Sequence, residues 1–118
     1  MNTAHELVYK ALAMAATAHH WHLTTQSYAR HLAFGELYDY CHDIADTLAE
    51  KLMGSGEVFA VDGVKQPLDF TNPDKAIPLI EDFAEDFEDI LEPEWLTNIA
   101  QEIQGRLYAI LYKLKRLN

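Results

Sequence analysis

The sequence predicts an all-α protein: a four-helix bundle built from two antiparallel helical hairpins and one long crossover. Three observations carry this. Apolar residues recur at spacings of three and four in four separate stretches. Glycine and proline gather between residues 54 and 93, with only Gly35 and Gly105 elsewhere. Two of the three connections are short and the middle one is long. At 118 residues the chain has the length of one domain with one core.

The first helix is expected over about 3–24. It opens with Thr3-Ala4-His5-Glu6, a capping box in which the Thr3 hydroxyl and the Glu6 carboxylate serve each other's backbone N–H. Leu7, Val8, Leu12, Ala15, Ala16 and Leu23 follow at helical spacing. A polar break, Thr24 to Ser27, ends it, with Ser27 as N-cap of the next helix. That second helix is expected over about 28–53. Phe34, Leu37, Cys41, Ile44, Leu48 and Leu52 form its apolar stripe, Lys51 suits its last turn, and Gly54 is the C′ residue.

Residues 54–77 lack helical periodicity, and Val58 to Gly63 has the pattern of a small hairpin. A third helix is expected over about 78–91. Pro78 sits in its first turn, and Ile80, Phe83, Phe87, Ile90 and Leu91 give one apolar face. A fourth is expected over about 93–117, with Leu96, Ile99, Ile103, Leu107, Ile110, Leu114 and Leu117 repeating at threes and fours.

Connection length selects the topology. Short turns make helices one and two, and three and four, antiparallel neighbours. The second helix is about 37 Å long at 1.5 Å per residue. A crossover of about 24 residues reaches up to about 80 Å when extended. It can therefore run the length of the bundle and start helix three parallel to helix two, which is the ferritin-like arrangement.

Composition narrows the function. The formal net charge is −10 and the pI is near 4.8, so the long-range field repels phosphate backbones and anionic lipid. Lys113, Lys115 and Arg116 complement the last helix dipole better than they serve DNA. No apolar run approaches the roughly 20 residues that span a bilayer, and residues 1–10 lack the pattern of a signal peptide. A single cysteine, Cys41, excludes an intrachain disulfide, fits a reducing compartment, and falls on the apolar stripe as packed core. A cytoplasmic location is expected.

All six histidines fall within the first 42 residues. Counting across the first hairpin sets His20 opposite His31, and two imidazoles at one level make a metal half-site. Asp46 and Glu50, four residues apart, share a face of helix two. His31 and Asp46 are separated by about 22 Å along that helix, too far to share one ion within a chain. Two copies packed antiparallel about a two-fold axis bring His20 and His31 of one chain to Asp46 and Glu50 of the other, and form two such sites. Mixed nitrogen and oxygen donors with open positions suit iron better than a closed zinc site. The plainer reading of the same residues is a polar helix face making hydrogen bonds and surface ion pairs.

At these residues the sequence resembles the Dps-like mini-ferritins. His20-Trp21, then His31, then Asp46-Thr47-Leu48-Ala49-Glu50-Lys51 match the family's His-Trp, second-helix histidine and Asp-x-x-Ala-Glu-Arg/Lys. Glu36-Leu37-Tyr38-Asp39 lies between them as in the family, and Glu94-x-x-Thr97 and Leu107-Tyr108 are weaker echoes in the last helix. The resemblance implies a ferroxidase centre at a two-fold interface, with His20 and His31 from one chain and Asp46 and Glu50 from its partner. It implies oxidation of Fe(II), often by peroxide, with Trp21 supporting electron transfer, and storage of ferric iron in a twelve-subunit cage. The assembly expected is a homodimer at minimum, through the first two helices. The His20–His31 gap is one residue shorter than is usual there, and the basic DNA-binding tail of some members is missing. The alternative reading is a non-catalytic ferritin-like dimer that serves as a structural or partner-binding module.

The remaining polar residues carry plainer expectations. His19 and His22 read as ordinary interfacial histidines rather than extra metal ligands, Trp21 equally as an interface residue, and His42 as a satisfied histidine facing Tyr9. His5 faces Asp46 by the hairpin count, which leaves a within-chain His5, Asp46 and Glu50 site as a minor option. The eight carboxylates from Glu81 to Glu94 read as the solvated face of helix three rather than an iron entry path.

Overall fold

The computed structural model describes residues 2–59 and 72–117. It is all-helical, with no strand among the described residues: α1 (Ala4–Thr24), α2 (Tyr28–Gly54), α3 (Ala76–Asp86) and α4 (Glu94–Arg116). Short 3-10 turns, Pro73–Lys75 and Phe87–Asp89, flank α3. The expected Val58–Gly63 hairpin falls mostly on residues outside those described.

The predicted caps form where local chemistry specified them. Thr3 Oγ1 accepts from the Glu6 N–H, and Ser27 Oγ from the Arg30 N–H, both at 3.2 Å. The other half of the Thr3 box differs: the Thr3 hydroxyl points at Glu6 Oε1, 3.4 Å away. The end of α2 also differs from expectation. Gly54 remains helical, and Gly56 takes the positive φ of +106°. Glu57 N–H reaches Leu52 O and Gly56 N–H reaches Met53 O, so a Schellman motif closes two residues later than the sequence suggested. Helix α3 begins two residues before Pro78 and ends at Asp86, short of the expected residue 91.

Side-chain pairs give the direction of each helix. Asn2 and Lys10 of the α1 end meet Asp89 and Asp86 respectively, so α1 and α3 are antiparallel. Lys113 bonds Glu36 at 2.7 Å, and the Arg106 guanidinium lies 4.1 Å over the Tyr40 ring, so α4 and α2 are antiparallel. Gln104 donates to Ala84 O and Lys115 pairs with Glu81, which sets α4 antiparallel to α3. The short turn makes α1 and α2 antiparallel as well. Helices α2 and α3 are therefore parallel, so the end of α2 and the start of α3 lie at opposite ends of the bundle.

The core contains Phe34, Leu37, Cys41, Ile44, Leu48 and Leu52 of α2, as the stripe predicted, with Ile80, Phe83 and Phe87, and with Leu96, Ile103, Leu107, Ile110 and Leu114 of α4. Burial holds the Cys41 thiol well above its ordinary pKa. Helix α1 is rotated relative to expectation. Ala11, Ala15, Ala18 and Trp21 join Leu7 and Val8 inside, whereas Leu12 is 44% and Leu23 is 70% exposed. Small residues on that stripe let α1 pack close against its neighbours. Leu91 and Leu117, also expected inside, are exposed, because each lies beyond the last buried turn of its helix.

The carboxylates of α3 and of the turn after it do more than face water. Glu81, Asp86 and Asp89 fasten Lys115, Lys10 and Asn2 of neighbouring helices. Among the described residues no helix is long and apolar enough to cross a membrane.

Candidate functional site

The groove between α1 and α2 holds a cluster of imidazoles and tyrosines. His22 and His31 stack with ring centroids 3.7 Å apart and planes 19° from parallel. Nδ1 of His22 lies 2.7 Å from His31 O, and Nδ1 of His31 lies 2.7 Å from His22 O. A carbonyl oxygen only accepts, so both Nδ1 atoms carry the hydrogen and both donate. In each neutral ring the lone pair is left on Nε2. Beside this pair His19 stacks on Tyr38 at 4.3 Å, and Tyr28 flanks His31 at 6.2 Å.

Backbone geometry explains why the pair forms here. His22 O belongs to the last turn of α1, where carbonyls have no partner four residues on. His31 Nδ1–H satisfies it. His31 O lies one helical turn before Gly35, and a side chain at residue 35 would meet the His22 ring that reaches it. A Cβ on Gly35 would meet His22 Nδ1 at 3.2 Å and Cε1 at 3.3 Å. The glycine thus admits the ring to the carbonyl.

The residues expected at a metal site are distributed differently from the hairpin count. The imidazole against His31 is that of His22. His20 lies about 160° round the helix from His22, and lines an open cleft of about 660 Å³ at that end of the bundle with Thr24, Ser27, Arg30 and Asp74. The count fixed the level on the hairpin, but not the side of the helix. Trp21 is fully buried against Phe34, at a centroid distance of 5.5 Å, so it is core and not an interface residue.

Asp46 and Glu50 are exposed. They share an outward stripe of α2 with Tyr28, Leu32 and Asp39, all exposed, at separations of 4, 7, 7 and 4 residues. Among the described residues neither carboxylate has a side-chain partner. Tyr28 and Leu32 are 75% and 55% exposed, an apolar end to a stripe whose other end is acidic.

Two further histidines depart from expectation. His5 pairs with Glu57 and stacks on Phe59 at 4.4 Å, tying the start of the crossover to α1 and not facing Asp46. His42 is exposed on α2. Sequence reasoning set His20 opposite His31, and not His22. The signal that finds it is the phase of α1: Ala11, Ala18 and Trp21 turn inward, which puts His22 at the α2 boundary and His20 away from it. Among the described residues of one chain, no group of three or more His, Cys, Asp or Glu side chains converges to hold a metal.

Fold and groove together define an all-helical four-helix protein with a histidine pair set into its first hairpin. The chain belongs to a family of unknown function, DUF5856, which matches residues 22–114. The match starts at the groove histidine and covers α2, α3 and nearly all of α4. No curated protein and no solved structure is significantly similar to the chain.

Proposed function

We propose that the chain is a Dps-like member of the ferritin-like proteins that binds Fe(II) as substrate between two copies of itself and oxidises it. The observation that carries the reading is the outward side of the first hairpin. It presents an imidazole whose Nδ1, not Nε2, is bonded to a carbonyl at one end and, at the other, two carboxylates that have no side-chain partner among the described residues, about 22 Å apart. Antiparallel packing of two copies through this side brings His31 of each to Asp46 and Glu50 of the other. The exposed Tyr28 and Leu32 supply apolar area for that contact. Parallel α2 and α3, with a crossover between them, support the ferritin-like assignment.

The donor chemistry fits Fe(II). Imidazole nitrogen and carboxylate oxygen suit this metal, and ligating histidines commonly donate their other ring N–H to a backbone carbonyl, as His31 does. His31 would hold the ion from one copy, with Asp46 and Glu50 from the other. His20 belongs to the proposed set on the family resemblance alone. Trp21, next to these histidines in the chain and packed in the core, is the proposed electron-transfer residue. The acidic chain carries the reaction without coating DNA, in the cytoplasm, as a dimer at least.

The test mixes metal-free protein with Fe(II) without oxygen, adds peroxide or air, and follows ferric absorbance against Asp46→Ala. Fast oxidation in the wild type only is expected. Equal traces would overturn the reading. A mass near twelve subunits would extend it to storage, and a monomer would remove the site altogether.

A further inference from the structure

We infer that the outward face of α4 is a docking surface for a second copy of this chain, which packs on it antiparallel about a two-fold axis at Gly105. This face lies on a different helix from the proposed metal ligands and does not rest on that reading. Three observations converge on it. Asn98, Gln101, Gly105, Tyr108 and Tyr112 recur at separations of 3, 4, 3 and 4 residues, and all are exposed. That is the spacing of a helix–helix seam, on the side of α4 opposite its buried stripe of Leu96, Ile103, Leu107 and Leu114. Tyr108 and Tyr112 are 44% and 56% exposed one turn apart, and tyrosine is a residue that interfaces favour.

The glycine is the second observation. Gly105 sits in the middle of α4, where glycine weakens a helix relative to alanine, and nothing lies within 4 Å of the place its Cβ would take. Its own chain does not need it there. A crossing helix does, because a missing side chain lets two backbones approach. The third observation is charge. From Glu94 to Gln104 the helix holds Glu94 and Glu102 and no basic residue, and from Arg106 to Leu117 it holds Arg106, Lys113, Lys115 and Arg116 and no acidic one. Antiparallel self-pairing lays each acidic half on a basic half, whereas parallel pairing sets like on like. The helix dipole accounts for the basic last turn, but not for Gly105 or for two exposed tyrosines. Residues equally far from Gly105 then face each other, Glu94 with Arg116 and Asn98 with Tyr112, and Gln101 falls beside Tyr108. Each of these pairs matches a donor to an acceptor. Among the described residues neither Glu94 nor Arg116 has an ion-pair partner in its own chain.

On the axis, residue 105 of one copy meets residue 105 of the other, so Gly105→Cys reports the contact as a disulfide between copies. Cys41 is buried and does not compete. Glu85→Cys, exposed on α3, measures chance collision. With diamide as oxidant, Gly105→Cys is expected to cross-link about tenfold faster or more, since docking raises the effective thiol concentration. Arg116→Glu in the Gly105→Cys background should slow the reaction, and adding Glu94→Arg should restore it. Cross-linking should persist with Leu32→Arg, which breaks the contact proposed on the α2 side and leaves this one intact. Equal rates for Gly105→Cys and Glu85→Cys would overturn the inference, and so would a rate that Arg116→Glu leaves unchanged. A rate that collapses with Leu32→Arg would also overturn it, by making the α2 side the source of the contact.

Discussion

His22 and His31 exchange hydrogen bonds across the α1–α2 groove, each ring nitrogen on the other's carbonyl oxygen at 2.7 Å. The exchange ties the last turn of α1 to the first turns of α2. It adds to the packing of Trp21 on Phe34 and of His19 on Tyr38 across the same two helices.

Gly35→Ala tests how much the exchange contributes. The added methyl meets His22 Nδ1 at 3.2 Å, so either the ring or the helix must move. Loss of the His22 hydrogen bond and some stacking should destabilise the fold by about 1–2 kcal/mol. Denaturant unfolding measures this directly. A stability equal to or above wild type, as a helical glycine-to-alanine change gives where space is free, would mean the ring is not held.

Gly56→Ala tests the end of α2. With φ at +106°, an L side chain is strained, whereas Gly54 is helical and open around its Cβ position. Gly56→Ala should therefore cost about 1–2 kcal/mol, and Gly54→Ala should cost nothing or stabilise slightly. Thermal melts of the two variants should move in different directions. If Gly54 is the more sensitive position, the Schellman motif is two residues out of place.

What the sequence disclosed, and what it hid, follows from the range of each signal. Thr3 and Ser27 were legible because a cap is decided within four residues. The α2 stripe was legible because large apolar side chains mark it without ambiguity. The phase of α1 was not, because its buried stripe is largely alanine, and Leu12 and Leu23 outweigh alanines in any reading by hydrophobicity. The same error set His20 in the place of His22: once Trp21 is known to point inward, the histidines on either side must point away from each other. Asp46 and Glu50 were found as a pair because four-residue spacing is local, but only the folded chain shows that they lack side-chain partners among the described residues. That helices one and two, and three and four, are antiparallel neighbours was inferred from connection lengths, and the His22–His31 exchange and the contacts of Gln104 with Ala84 and Lys115 with Glu81 agree with that inference.

Cys41 should be nearly inert in the native protein. Its side chain is enclosed by the core, and burial raises the thiol pKa, so thiolate is scarce at neutral or mildly alkaline pH. Labelling by a thiol-specific disulfide reagent at pH 8 should follow the opening of the bundle, and become rapid only in denaturant. Prompt labelling of folded protein would place Cys41 at the surface and shift the α2 stripe by a residue.

Asp89 should give the acid limb of stability a recognisable component. The Asn2 backbone N–H donates to its Oδ2 at 2.7 Å and the Asn2 side-chain amide at 2.9 Å, and these bonds hold the carboxyl below its ordinary pKa. A pKa depressed in the folded state means that the unfolded chain takes up the proton first as pH falls. The stabilisation is therefore complete above the ordinary aspartate value of about 3.9, and is lost as pH drops through the lower folded value. Asp89→Asn lacks that titration. Its melting temperature should lie below wild type at pH 6, where the charged carboxylate anchors the start of α1. The gap should narrow as pH is lowered from about 4, since the wild type alone loses this contribution. Melts of both proteins across that range decide the matter: curves that stay parallel down to the lowest pH would show that the Asn2 contact does not hold the carboxylate in solution.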